Sequence, residues 1–176
     1  MYLKMKRNYL LLIAFFVTTI SYCQEFQKPS SGKSLVYFAR FNGTGAVINF
    51  KYFDGDKYLG KMNGVNYFTY ECDPGQHLFW VSAENRDYIT GDLKADATYI
   101  LEVRPTMGVL KASVKLMQIS PEDKKGLKWV GKLMAKKEPV ILKGQEKDHS
   151  FFIENGLDRY EKIKDKVTIL NPAWTF

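Results

Sequence analysis

From Ser34 to Ile119 apolar and polar residues alternate in short runs, and each run ends in a turn signature. Leu35, Tyr37, Ala39 and Phe41 fall on one face of the first run, and Ala46, Ile48, Phe50 and Tyr52 on one face of the second. Tyr99, Leu101 and Val103 repeat the period, as do Leu110, Ala112, Val114 and Leu116. Side chains alternate across a strand, so a period of two marks strands with one face toward a core. Between the runs stand Asn42-Gly43, Asp54-Gly55, Asn63-Gly64, Asp73-Pro74-Gly75, Thr90-Gly91-Asp92 and Met107-Gly108. Their glycines supply the positive φ of tight turns, which Asn and Asp also tolerate. Alternating strands with turns about every 8–12 residues predict an antiparallel β-sandwich. The expected strands are 34–41, 45–53, 57–62, 65–72, 76–83, 97–104 and 109–119, with an eighth at 88–93.

The period changes at Ser120. Ser120-Pro121-Glu122-Asp123 reads as a helix start, with Ser120 as cap, Pro121 in the first turn and acids at the positive end of the dipole. This helix is expected to reach about Lys137, ahead of Glu138-Pro139. Leu127, Val130, Leu133 and Met134 form its apolar stripe, set among lysines. A second helix is expected from His149 to Lys166, with Ile153, Leu157 and Tyr160 at helical spacing and Gly156 inside it at a propensity cost of about 1 kcal/mol. Residues 167–176 read as an extended tail. The organisation is thus a β domain at 34–119 and a helical extension at 120–176, so the fold class is mainly β with one or two C-terminal α-helices.

The first 23 residues differ from the rest. Lys4, Lys6 and Arg7 precede a run from Tyr9 to Ile20 that is apolar except for Thr18 and Thr19, and Ser21-Tyr22-Cys23 follows. This is the pattern of a secretory signal peptide cut before Gln24. The run is short for an uncleaved anchor, which needs about 20 residues. Lipidation at Cys23 is ranked below soluble export, because Tyr22 stands where a small residue is needed. Residues 24–33 form a polar leader. The expected location is periplasmic or extracellular.

Removing three cations lowers the net charge of the 176-residue chain from +7 to +4, and the remaining bases are interspersed with acids. That argues against a nucleic-acid footprint. Cys72 is then the sole thiol, which excludes an internal disulfide and a cysteine-based metal site. Eleven Tyr and twelve Phe suit a pleated core.

Polar residues that break the pattern are the site candidates. On the expected strand 76–83, Leu78, Trp80 and Ser82 point one way, and His77, Phe79, Val81 and Ala83 the other. His77 is read first as a hydrogen-bonded packing residue, with ligand contact as the alternative. Trp80 is a core residue or a stacking platform. Glu84 and Asn85 sit in a loop at the end of the sandwich, where binding residues gather. Arg40 shares the face of Val36 and Phe38 and would pair with Glu84 or Glu102, or meet an anionic ligand. The chain has no G-x-S-x-G, H-E-x-x-H or P-loop motif, and its two His are far apart. No cofactor, metal or catalytic set is therefore expected.

The segment from GKSLVYFARF through the D-G turn and P-G-x-H to T-Y-x-x-x-V, about residues 32–119, resembles the bacterial domain-of-unknown-function (DUF) family 2846. The resemblance implies a small exported β domain and carries over no catalytic residues. The Cys23-Gln24 junction and FIENGLDRYEKIKDK also resemble exported proteins of the Bacteroidetes type.

The functional expectation is a non-enzymatic module that binds or scaffolds a cell-envelope protein or polysaccharide. One alternative is an envelope hydrolase using Glu84 with His77 or Arg40. Positions 77 and 84 lie about 23 Å apart on one extended strand, which weakens that pairing. The other alternative is membrane-surface attachment through the basic helix 121–137.

Overall fold

The computed structural model describes residues 26–107, 112–143 and 149–176. The expected signal peptide, Cys23 and Gln24 lie outside them. Among the described residues nine strands form two sheets: β1 (Ser34–Arg40), β2 (Phe50–Asp54), β3 (Lys57–Met62), β4 (Asn66–Cys72), β5 (Gly75–Ser82), β6 (Arg86–Leu93), β7 (Ala97–Met107), β8 (Ala112–Gln118) and β9 (Thr168–Ile169). The first sheet runs β4-β1-β7-β8 and the second β3-β2-β5-β6-β9. The β-sandwich that the alternation predicts is present. Each sheet contains one parallel pair, β1 with β7 and β6 with β9.

The inner faces meet in one core of Val36, Phe38, Phe50, Tyr52, Phe79, Val81, Tyr99, Leu101, Val114 and Leu116. Helix α1 (Lys124–Met134) lies on the outer face of the first sheet, where Val130 and Leu133 pack on Leu35, Tyr37, Ala39 and Ile100. Helix α2 (Ser150–Ile163) covers the outer face of the second, where Ile153, Phe152 and Leu157 pack on Phe53, Trp80 and Tyr88. The order is therefore helix, sheet, sheet, helix. It explains why all seven residues of β1 are buried: a central strand covered on both faces has no wet side.

Several boundaries differ from expectation: the strand expected at 97–104 runs to Met107, the first helix stops at Met134, the second spans Ser150–Ile163, and three further differences have a visible cause or consequence. The second strand starts at Phe50, because Arg40 gathers the carbonyls of Thr44, Gly45 and Ile48 into a loop, and Asn42 Oδ1 accepts from Thr44 N at 2.9 Å. The eighth strand is full length and begins at Arg86. The first helix is capped by Asp123, whose carboxylate accepts from Gly126 N at 2.9 Å, and not by Ser120. Ile119 N–H still bonds to Ile100 O at 2.9 Å, so Ser120 to Asp123 must turn the corner before the helix can begin.

Both open sides of the sandwich are closed. On one side the linker between the helices lies over the gap, with Val140 N–H donating to Tyr67 O at 2.8 Å and Val140 and Leu142 packing on the inner core. On the other, Asn85, just before β6, and Asp87 of β6 bind the backbone of β8. The tail is anchored too: Leu170 is buried, and Phe176 N–H donates to Thr98 O at 3.1 Å.

Candidate functional site

The residues singled out by sequence go to separate places. Arg40 is fully buried at the end of β1. Its Nη1 donates to Ile48 O (3.0 Å) and its Nη2 to Thr44 O (2.9 Å) and Gly45 O (2.6 Å), and the guanidinium lies 4.2 Å from the centroid of the Phe50 ring. The expected ion pair with Glu84 or Glu102 is not formed; carbonyls of its own loop satisfy the guanidinium instead. Burial lowers its pKa from the usual arginine range. Its Nε and the buried Tyr52 hydroxyl have no hydrogen-bond partner among the described residues.

His77 is held at both ring nitrogens, by the Asp54 carboxylate at Nδ1 (2.8 Å) and by Asp73 O at Nε2 (2.8 Å). A carbonyl only accepts and the carboxylate accepts as well, so the ring is an imidazolium donating twice. Asp54 first, then Cys72 and the Asp73 carbonyl, push its pKa up to about 10. Tyr70 also donates to Asp54, at 3.1 Å.

Trp80 is fully buried under α2, stacked on Phe53 at 3.7 Å, with its Nε1–H donating to Gly55 O at 2.9 Å. It presents no ring face to solvent. Glu84 is exposed in the turn between β5 and β6. Asn85 uses its whole amide on β8, with Nδ2 donating to Val114 O at 2.9 Å and Oδ1 accepting from Val114 N at 2.6 Å. His77 and Glu84 stand at opposite ends of β5, so the pairing considered for a hydrolase is not assembled.

A different set of residues converges. Along β7, Tyr99, Leu101 and Val103 point into the sandwich, so Glu102 and Arg104 fall on the outer face with Ile100. Ile100 packs in the cluster beneath α1, while Glu102 and Arg104 lie beside the first turn of the helix. There Asn42 and Phe41 of the loop after β1, Glu102, Arg104, and Lys125 and Trp129 of α1 line a groove of about 440 Å³. Lys125, Trp129 and Lys132 follow helical spacing along one flank of α1, off the apolar stripe.

Arg104 grips Glu102 bidentately, Nε to Oε1 at 2.8 Å and Nη2 to Oε2 at 2.6 Å. The Glu102 side chain is 7% exposed and that of Arg104 44%, so the pair stands at the water boundary. The bonded carboxylate raises the Arg104 pKa further. Trp129 is 45% exposed, with the Lys132 ammonium 5.1 Å from its ring centroid. The groove offers an aromatic surface beside a fixed charge pair, which suits recognition. Sequence reasoning named Glu102 only as a partner for Arg40 and missed Asn42, Arg104 and Trp129. Two signals pointed there: a Glu and an Arg two residues apart on one strand face, and a Trp among lysines on the wet side of a helix.

A second depression, about 450 Å³, lies between β3, β4 and the inter-helix linker. It is walled by Tyr58, Leu59, Phe68 and Leu142 and is more apolar. Among the described residues no cluster of three or more His, Cys, Asp or Glu is placed to hold a metal ion. No described helix is long and apolar enough to cross a membrane. The apolar stripe of α1 is committed to the cluster on the first sheet.

Fold and site together define a β-sandwich with a helix on each outer face and a mixed aromatic and polar groove at one helix–sheet junction. No family model matches the chain, and no curated protein matches it.

Proposed function

We propose that the protein is an exported, non-enzymatic module that binds a component of the cell envelope in the groove between β7 and α1. The observation that carries the reading is the half-exposed Trp129 beside the clamped Glu102–Arg104 pair. A large exposed aromatic next to fixed polar groups is the composition of a recognition site. Export rests on the basic and apolar N-terminal pattern of residues 1–23. The resemblance of residues 32–119 to family 2846 implies an exported β domain and so supports the export part of the reading alone.

Immobilised protein spanning Gln24 to Phe176, exposed to envelope extract and to cell-wall polysaccharide, is expected to retain a component that Trp129→Ala releases. Retention of nothing under mild conditions, or equal retention by the variant, would overturn the reading. The export part has its own check, the intact mass of the protein from its native host. The expected mass is that of Gln24–Phe176, and a lipid on Cys23 would place the module on a membrane instead.

A further inference from the structure

We propose that the groove takes a neutral saccharide, with one sugar ring on Trp129 and neighbouring hydroxyls on the Glu102–Arg104 pair; this rests on the reading of the groove as the binding site. Charge is the first argument. Glu102 and Arg104 cancel, and Lys125 is balanced by Asp123 on the same rim. The lining charges thus cancel, and Lys132, whose ammonium stands 5.1 Å from the Trp129 ring centroid, is the cation left beside the platform, so the salt dependence of binding decides between a sugar and an anion.

The state of the arginine is the second. A free guanidinium grips carboxylate or phosphate through two parallel N–H bonds. In Arg104 the Nε–Nη2 edge is already filled by Glu102. Two of the five N–H groups of a guanidinium are thereby spent, and the remaining donors belong to a cation whose charge Glu102 already balances. Each Glu102 oxygen keeps a lone pair beyond the one that Arg104 uses. Fixed donors therefore stand next to fixed acceptors. A hydroxyl both donates and accepts, so a sugar with adjacent hydroxyls matches such a pair.

The third argument is the aromatic surface. The indole of Trp129 is half exposed at the groove, and Phe41 adds a second apolar wall. A sugar ring carries C–H groups on its faces and hydroxyls around its rim. It can bury the first on the indole while presenting the second to the ion pair. The volume also fits, since small-ligand sites span about 300–1,000 Å³.

The test follows Trp129 Nε1–H and Arg104 Nε–H by NMR in the mature chain during titration with neutral glucan and chitin oligosaccharides. Polygalacturonate and inorganic phosphate serve as anionic counter-probes. At least one neutral oligosaccharide is expected to shift both resonances saturably. Its affinity should hold when salt is raised to about 1 M, where screening acts over about 3 Å. Trp129→Ala should weaken binding about tenfold and Arg104→Lys should weaken it as well. Both side chains are about half exposed, so neither change opens the core, and the remaining resonances report the fold of each variant.

Salt-sensitive binding of an anionic probe alone would overturn the saccharide in favour of an anion site. Silence of every sugar, with Trp129-dependent retention of an envelope protein, would remove the saccharide and leave the groove reading intact. Silence of all probes without Trp129-dependent retention would remove both.

Discussion

His77 shows how one polar residue on an apolar strand face is satisfied. Its ring stacks on Phe79 at 5.3 Å, and its two N–H groups are taken by Asp54 and Asp73. The folded pKa of about 10 lies above the ordinary 6.5. A raised pKa means that the folded state holds its proton more tightly than the unfolded chain. The stability from this group is therefore fully present below about pH 6.5 and is lost as pH rises toward 10. His77→Gln should lower the melting temperature near neutral pH and flatten its fall between pH 6.5 and 10. Asp54→Asn should bring the imidazole titration, followed by NMR, back toward the ordinary value.

Gly156 sits inside a helix for a reason of packing. A Cβ there would come 2.5 Å from Trp80 Cη2, and Trp80 is pinned by Phe53 and by its bond to Gly55 O. Gly156→Ala gains about 1 kcal/mol of helix propensity but overpacks the site by about 1–3 kcal/mol. Urea denaturation should register no gain, and a net loss of up to about 2 kcal/mol. The sequence shows the glycine as a local cost; its partner lies 76 positions away (156 less 80), where local spacing carries no information.

At the level of elements, the edge strand β8 explains Asn85 and Asp87. An unpaired edge invites other strands. Here Asn85 binds Val114 at both backbone groups, and Asp87 Oδ2 accepts from Leu116 N at 2.7 Å. Asn85→Leu keeps the approximate volume but leaves two backbone groups unpaired, a cost of about 1–3 kcal/mol. Amide exchange at Val114 should accelerate while β1 amides stay protected up to global unfolding. A role for Asn85 in ligand binding would instead leave Val114 exchange unchanged and weaken binding. Strand identity was legible because the faces alternate: Leu35, Tyr37 and Ala39 form one buried set and Val36 and Phe38 another. Pairing between distant strands was not legible, and neither was the shortened second strand. Alternation at Ala46 and Ile48 continues the pattern, but the buried guanidinium of Arg40 claims the backbone there.

For the whole molecule the division at Ser120 separates strands from helices but does not separate two folding units. The C-terminal segment covers both outer faces, lies over the gap beside β4, and adds β9 to the second sheet. Without it Leu35, Tyr37 and Ile100 on one side, and Phe53, Trp80 and Tyr88 on the other, would face water. Burying such a side chain contributes about 1.5–3 kcal/mol, and a domain keeps only about 5–15 kcal/mol in total. Exposing six of them removes about 9–18 kcal/mol, which matches the whole of that margin. A chain ending at Ile119 should therefore lose the near-UV circular dichroism of its packed aromatics, bind a hydrophobic dye and unfold without a cooperative transition. The 24–176 chain should melt in one transition. A truncated chain that kept both the aromatic signal and a sharp transition would mean that the sandwich core alone, from Val36 to Leu116, holds the fold. The helices would then be covers added to a finished domain. The complete burial of β1 on both faces argues the opposite, because its outer face is covered by Val130 and Leu133 of α1 and by Phe176 of the tail, together with Phe26 and Tyr67.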